Sequence, residues 1–234
     1  MTAVLKREFK SYFTSPLGYV YLAIFLFFEG NFFTTLFGYG SPTVEAIFPS
    51  MATVVILVTP VLTMRLLSED RRQKVDQALL TAPVSVGGIV LGKFFAALGV
   101  YAVAFTPTLI FQIIVSSLTP SVNWLVYLNG LLGALLIGAA LIAIGMFISS
   151  LTESPIISCI LTLVTFLLLM VSTSLAALTQ KEWVVAVAEK VAFINLFSQF
   201  SGSVFHIVDV IYLVSIAAVF VFLSVRMVER RRWA

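Results

Sequence analysis

Long apolar runs alternate with short polar stretches along the whole chain. Six of the runs reach about 20 residues or more, the length that a helix needs to cross the hydrocarbon core of a bilayer. The third run is long enough to be tilted, or to be broken near Pro107. The six runs are Leu17–Phe37, Ile47–Leu67, Ile89–Leu118, Leu125–Ser150, Ile156–Leu178 and Val208–Val228. This pattern predicts an all-α integral membrane protein, with six transmembrane helices in a single domain over residues 1–234.

Three segments outside these runs carry amphipathic patterns. Residues 1–15 place aromatic and basic side chains on opposite faces of a helix, which predicts a helix lying in the membrane interface. Residues 179–207 are too apolar for a free loop, and we expect short amphipathic helices that re-enter the outer leaflet. Residues 68–85, SEDRRQKVDQALLTAPVS, form the most highly charged stretch of the chain.

The stretch 68–85 supports two interpretations. Val75, Ala78, Leu79 and Ala82 recur at helical spacing and form one apolar face, so a short helix here could dock into a groove on a partner. The alternative is a solvated loop of the kind that commonly joins two transmembrane helices. The pattern alone favours the loop.

Basic residues are distributed unevenly between the two sides of the predicted bundle. With six spans, 12 of the 14 Lys and Arg residues lie on the side of the N-terminus, and only Lys181 and Lys190 lie on the other. The positive-inside rule then predicts that both termini are cytoplasmic. We therefore expect a multi-pass protein of a bacterial cytoplasmic (inner) membrane. The basic charge is explained by this topology, so we expect no nucleic acid as a partner.

Composition excludes several functional classes. The chain is 60% hydrophobic and 11% charged, whereas soluble domains are about 45–50% apolar and about 25% charged. One cysteine, Cys159, excludes a disulfide framework within the chain and any multi-cysteine metal site. One histidine, His206, excludes paired-histidine zinc motifs and is poorly placed to serve as a catalytic base. We therefore expect no catalytic residues, no metal and no cofactor in this chain.

A near-match to a phosphate-binding loop occurs at Gly87–Lys93, which reads GGIVLGK. Such a loop needs Ser or Thr after the lysine to hold Mg²⁺, and it needs a strand before it. Phe94 occupies the hydroxyl position and an apolar span follows. The match is therefore attributed to chance, with Lys93 reaching the inner interface.

Glu29 is the one charged residue that falls clearly within a predicted span. Intramembrane charges are candidates for functional sites, so Glu29 could contact a substrate or form a gating hydrogen bond. Alternatively, the first helix ends earlier and Glu29 lies at the outer interface. A single such carboxylate gives weak support to a proton-coupled transporter.

The charged stretch closely resembles the first inner loop of type-2 ABC-transporter permeases, and in particular the branch that includes the gliding-motility permease. The resemblance runs through Glu69-Asp70-Arg71-Arg72-Gln73, then Asp76-Gln77, then Leu79-Leu80-Thr81-Ala82-Pro83-Val84-Ser85. Lys74-Val75 replaces the Gly-Thr of the family pattern. Three further stretches agree with the family in order and spacing: LKREFKSYFTSPLGYV near the N-terminus, Ser149-Ser150-Leu151-Thr152-Glu153, and the last hairpin with Phe197, Phe200, Asp209 and Glu229-Arg230-Arg231-Arg232-Trp233.

The resemblance implies a permease subunit of an ATP-driven exporter. In this family two permease subunits, identical or different, form the pathway, and separate ATP-binding cassette subunits hydrolyse ATP below them. An accessory periplasmic or membrane subunit is compatible with this arrangement. The stretch 68–85 would be the coupling helix that receives the motion of the ATPase. By position, the residues implied in ATPase contact are Glu69, Asp70, Arg71, Arg72, Asp76 and Leu79.

Glu29, Phe197 and Phe200 are the candidates for a pathway or gate. The apolar and aromatic lining is compatible with a lipidic or glycan substrate. Two other functions stay open at this point. The chain could be a membrane anchor in a motility or envelope machinery that does not itself transport, or a secondary transporter that acts alone.

Overall fold

A computed structural model of the chain describes residues 2–38, 43–72, 85–118, 123–178, 193–202 and 206–232. These residues form α-helices and a short 3₁₀ turn at Val44–Ala46, with no strand among them. The helices are α1 (Thr2–Thr14), α2 (Pro16–Gly38), α3 (Ile47–Thr63), α4 (Ser68–Arg72), α5 (Val86–Ala104), α6 (Thr106–Leu118), α7 (Trp124–Leu151), α8 (Pro155–Leu178), α9 (Phe193–Phe200) and α10 (Ile207–Arg232).

Six stretches of the described residues are long and apolar enough to cross a membrane, which confirms the predicted all-α architecture. They are Pro16–Gly38, Val44–Arg72, Val86–Leu118, Trp124–Leu151, Pro155–Ala176 and Ile207–Arg230. The third consists of two helices, because α5 ends at Ala104 and α6 starts at Thr106. Pro107 lies in the first turn of α6, where its missing N–H is tolerated, so the predicted break near this proline is confirmed.

The fourth span, α7, is the centre of the bundle. It packs against α3, α5, α8, α9 and most extensively against α10. Glycines on its surface allow this close approach, since a Cβ at Gly138 would overlap the ring of Tyr101 and a Cβ at Gly133 would overlap Phe200. The Tyr101 hydroxyl also donates a 2.9 Å hydrogen bond to the carbonyl of Ala134. The glycines of this span therefore form a packing surface.

The N-terminal helix α1 packs along α5 and against the start of α2. Phe9 lies over Gly99 of α5, and the backbone of Tyr12 lies against Gly18 of α2. These contacts bring the polar side chains of α1 to the end of α3 and to α4. This arrangement creates the cleft described next.

Candidate functional site

A cleft of about 400 Å³ lies between α1, the end of α3, α4 and the start of α5. It is called the basal cleft below. Three cationic and three anionic side chains line it, together with hydroxyl groups. The lining residues are Arg7, Glu8, Ser11, Tyr12, Ser15, Arg65, Leu66, Glu69, Asp70 and Lys93.

Lys93 is the most buried charge in the cleft, with 1% of its side chain exposed. Its Nζ lies 2.9 Å from Asp70 Oδ2 on α4 and 3.3 Å from Glu8 Oε1 on α1. A buried ammonium is stable only when it is paired, and here two carboxylates from different helices supply the pairing. The Lys93 ammonium is therefore buried between helices and does not extend into solvent, contrary to the prediction. It links α5, on which it lies, to α1 and α4. Its position within α5 also rules out a phosphate-binding loop at Gly87–Lys93.

Arg65 holds the other side of the cleft. Its Nη2 donates a 2.7 Å hydrogen bond to Glu69 Oε1, and its Nε donates to Glu69 Oε2. The third nitrogen, Nη1, donates to Ser15 Oγ at 3.0 Å, between α1 and α2. Such a bidentate ion pair is among the stronger side-chain contacts because both hydrogen bonds are charge-assisted. This contact fixes the orientation of the start of α4 relative to the end of α3.

Tyr12 satisfies a backbone group at the end of α3. The last carbonyls of a helix have no partner within it, and the Tyr12 hydroxyl donates to the carbonyl of Leu62 at 2.9 Å. Burial raises the pKa of the Tyr12 phenol above its ordinary value, and the nearby Glu8 carboxylate raises that pKa further. The phenol therefore keeps its proton, and this hydrogen bond, at all physiological pH values.

The junction between α3 and α4 is held from the other side by Ser149 of α7. The Ser149 hydroxyl accepts hydrogen bonds from the backbone N–H groups of Leu67 at 3.2 Å and Ser68 at 3.1 Å. It donates in turn to the carbonyl of Met64 at 3.1 Å, and the Ser68 hydroxyl donates to the same carbonyl. One side chain thus satisfies backbone groups that the helix break leaves open.

Arg71 extends these links to the turn between α7 and α8. Its Nη2 lies 2.6 Å from Glu153 Oε1, which is largely exposed. Exposed pairs of this kind contribute little to stability, so the main effect of the Arg71–Glu153 pair is to position α4 beside the α7–α8 turn. Together, these contacts attach the short helix α4 to α1, α3, α5 and the α7–α8 turn.

The structure divides the six residues implied in ATPase contact into three groups. Glu69, Asp70 and Arg71 form ion pairs within the chain, and Arg72 is exposed. Asp76 and Leu79 lie outside the described residues, as does most of the predicted coupling helix, residues 73–84. The described part of that stretch is helical over Ser68–Arg72, and Ser85 caps α5 by accepting a hydrogen bond from the backbone N–H of Gly88.

Sequence reasoning missed the partners that complete the cleft. Lys93 attracted attention only through a false motif, and Glu8 received no role at all. The Arg65–Glu69 pair could be predicted from the sequence, because residues four apart share one face of a helix. The contacts of Glu8, Lys93 and Ser149 join helices that are distant in sequence, so periodicity carries no signal for them.

At the other end of the bundle, the predicted gate residues are packed. Phe197 and Phe200 of α9 are 1% and 2% exposed, and Phe200 lies over Gly133. Asn129 of α7 holds this helix in place, because its Nδ2 donates to the carbonyls of Phe200 at 2.9 Å and Gly202 at 3.1 Å. The rest of the outer segment, residues 179–192 and 203–205, lies outside the described residues.

Glu29 is fully buried in α2, so it does not lie at an exposed helix end. It does not line the basal cleft. Within the described ranges, no group of three His, Cys, Asp or Glu side chains is placed to hold a metal ion.

Comparison with known families gives one match that covers nearly the whole chain. A family model described as "ABC-2 family transporter protein" matches residues 5–229. No curated protein matches the sequence.

Proposed function

This chain belongs to the ABC-2 transporter family as a membrane-spanning permease component, and we propose that it couples ATP hydrolysis by a separate ATPase subunit to export. The chain would dimerise with itself or with a second permease subunit. Both termini and the basal cleft would lie on the cytoplasmic side of a bacterial inner membrane. Within the family, the pattern of residues 69–85 resembles that of the gliding-motility branch.

The observation that supports this proposal is the attachment of α4 to four other parts of the bundle. A loop that only connects two spans needs no such attachment. Lys93, Arg65 and Ser149 hold α4 through partly or fully buried contacts. A force applied to α4 would therefore move α1, α5 and the central helix α7 together, because packed elements transmit displacement as units.

Arg72 is the described residue best placed to meet a partner, since it is exposed and follows directly on the held residues of α4. In the proposed mechanism Glu69, Asp70 and Arg71 hold α4 in position, while Arg72 and residues 73–84 contact the ATPase. The ATPase closes on ATP and pushes α4. The spans then change their packing and open the exit, where Phe197 and Phe200 would act as a gate.

The test is co-purification of the full chain with the products of its neighbouring genes, followed by an ATP hydrolysis assay in liposomes. We expect a Walker-motif ATPase to co-purify and Arg72→Glu to weaken its capture about tenfold or more, the effect of placing a like charge in a complementary interface. Arg230→Glu is the matched control, because Arg230 is also exposed but lies on α10. Capture that Arg72→Glu leaves unchanged would contradict the assigned contact.

The same experiment distinguishes the two alternatives. A secondary transporter would move substrate in liposomes without any ATPase. A membrane anchor would capture the ATPase, but no lipid or glycan would cross the membrane or stimulate ATP hydrolysis. We favour the exporter over these two alternatives because the attachment of α4 would transmit a force from the ATPase to the spans.

A further inference from the structure

A second polar cluster lies inside the bundle, away from the basal cleft. Glu29 of α2 is fully buried, and neither of its carboxylate oxygens has a hydrogen-bond partner in the part of the chain that the structure describes. Gln112 of α6 is also fully buried, and both polar atoms of its amide lack partners there. Burial of polar groups without partners is costly, so two such side chains on neighbouring helices call for an explanation.

Ring contacts show that Glu29 faces the start of α6. Phe25, one turn before Glu29, lies 5.6 Å from Phe105, measured between ring centroids. Phe33, one turn after Glu29, stacks on Phe111 at 4.3 Å. Glu29 lies between these two contacts on the buried face of α2, and it therefore lies beside the stretch of α6 between Phe105 and Phe111.

Thr108 lies within this stretch and Gln112 lies just beyond Phe111, and both are on the buried face of α6. Thr108 is satisfied, because its hydroxyl bonds to the Phe105 carbonyl at 2.7 Å and to the Tyr127 hydroxyl at 2.9 Å. Gln112 lies one turn further on and has no such contacts. Of these two polar side chains, Gln112 is therefore the one that has no partner among the described residues and can bind a ligand.

The third span is also broken at this level, at Phe105. Broken helices inside a membrane commonly form binding sites, because their ends present polar backbone groups to the interior. The N-terminus of α6 contributes only about half of a positive elementary charge. Within the described ranges, no Lys, Arg or His forms an ion pair with Glu29. No cation in the part of the chain that the structure describes is therefore paired with Glu29, and a cationic ligand would supply the missing partner.

We propose that Glu29 and Gln112 form an intramembrane site that binds the ammonium group of an amine-bearing amphiphile. A primary ammonium has three N–H donors, which match the two oxygens of Glu29 and the amide oxygen of Gln112. Aromatic side chains also surround this level of α2, since the ring of Phe25, one turn from Glu29, lies 6.1 Å from that of Tyr101 and 5.6 Å from that of Phe105, and aromatic faces attract cations. A neutral alcohol would bring one donor and no charge.

This inference rests on the proposed transport function, because it names the class of molecule that is carried. Glu29 is fully buried, so the ligand reaches it only when α2 and α6 move apart. That movement is the kind of change in span packing that the coupling mechanism requires. The apolar tail would lie among the exposed aliphatic and aromatic side chains of the spans, as lipid tails do.

The experiment measures binding of dodecylamine and of dodecanol to the full chain in lipid nanodiscs at pH 7, with binding to empty nanodiscs subtracted. The two probes share one tail and differ in the head group. We expect the wild-type chain to prefer dodecylammonium by about tenfold or more, and Glu29→Gln to abolish that preference. Gln112→Leu is expected to weaken ammonium binding less, since it removes a dipole and no charge.

Glu45→Gln is the control, because Glu45 is a carboxylate in the 3₁₀ turn at the start of the second span and outside the proposed site. It should keep the wild-type preference. Glu29→Gln preserves the shape of the side chain and removes a buried ionisable group that has no partner among the described residues, so we expect the thermal stability of the variant to be equal to wild type or higher. Lost binding in a stable variant then reports on the site.

Equal affinity of the wild-type chain for the two probes, or an unchanged preference in Glu29→Gln, would overturn the proposal. The measurement uses no ATP and no partner subunit. Failure of an ATPase to co-purify would therefore refute the proposed function and leave the ammonium site standing. Conversely, a coupled ATPase with no ammonium preference would remove the site and leave the exporter.

Discussion

Replacement of Lys93 by methionine tests whether the basal cleft holds the N-terminal helix and α4 together. Methionine keeps the length of the side chain and removes the ammonium. Glu8 and Asp70 then face each other across the cleft without the cation that lies 3.3 Å from one and 2.9 Å from the other. The variant therefore changes one charge and little volume.

The expected loss follows from the two distances. At an effective dielectric constant of about 20, unit charges at these separations attract each other by about 5 and about 6 kcal/mol. Most of that attraction is offset by desolvation, and removal of one partner from a buried pair costs about 3–5 kcal/mol overall. Glu8 and Asp70 keep 16% and 19% exposure, so water screens the carboxylates that remain. We therefore expect the lower end of the range, about 3 kcal/mol.

The assay is unfolding of the purified chain by SDS in mixed micelles, followed by tryptophan fluorescence. Lys10→Met on the exposed face of α1 is the matched control and should change stability by less than about 0.5 kcal/mol. The triple variant Glu8→Gln, Asp70→Asn, Lys93→Met should recover most of the loss, because it leaves no buried charge in this cluster and the Arg7 partner of Glu8 is half exposed to water. A Lys93→Met protein as stable as wild type, or a triple variant no better than Lys93→Met, would refute the reasoning.

Two further changes test the packing around α7. Ser149→Ala removes three hydrogen bonds at the α3–α4 junction, so it should destabilise the chain by about 1–3 kcal/mol and weaken any coupling through α4. Wild-type stability of this variant in SDS unfolding would show that the junction does not depend on the Ser149 hydroxyl. Gly138→Ala should cost about 1–3 kcal/mol because its Cβ meets the ring of Tyr101, whereas Gly30→Ala meets open space and should be neutral or stabilising by up to about 1 kcal/mol. Equal effects of the two glycine substitutions on thermal unfolding would argue against close packing at Gly138.

Most of the architecture was predictable because a bilayer imposes a simple rule on sequence. Each spanning helix must be long and apolar, and the six predicted runs coincide with the six spans within a few residues. Pro107 also signalled the break in the third span correctly. The ends of helices were less certain, since charged residues such as Glu69 and Asp70 extend the second span beyond its apolar run.

The candidate sites were predictable only in part. The charges in residues 68–72 were recognised, but their partners within the chain were not: Glu69 and Asp70 pair with Arg65 and Lys93. The predicted contact of these residues with an ATPase stays a prediction. Glu29 stood out as a charge in an apolar helix, yet its sequence neighbours gave no hint of Gln112. The prediction that Phe197 and Phe200 form a gate stays untested, although both side chains are packed.

The sequence by itself determined the class of protein, the number of spans and the family, because hydropathy and local motif spacing are properties of contiguous residues. The tertiary structure alone decided which charges meet. Lys93 is 85 residues from Glu8 and 23 from Asp70 along the chain, and it joins them only because α1 and α4 pack at the same end of α5. In a membrane interior, where an unpaired charge is costly, such distant pairings decide which polar residues hold the bundle together and which remain free for a ligand.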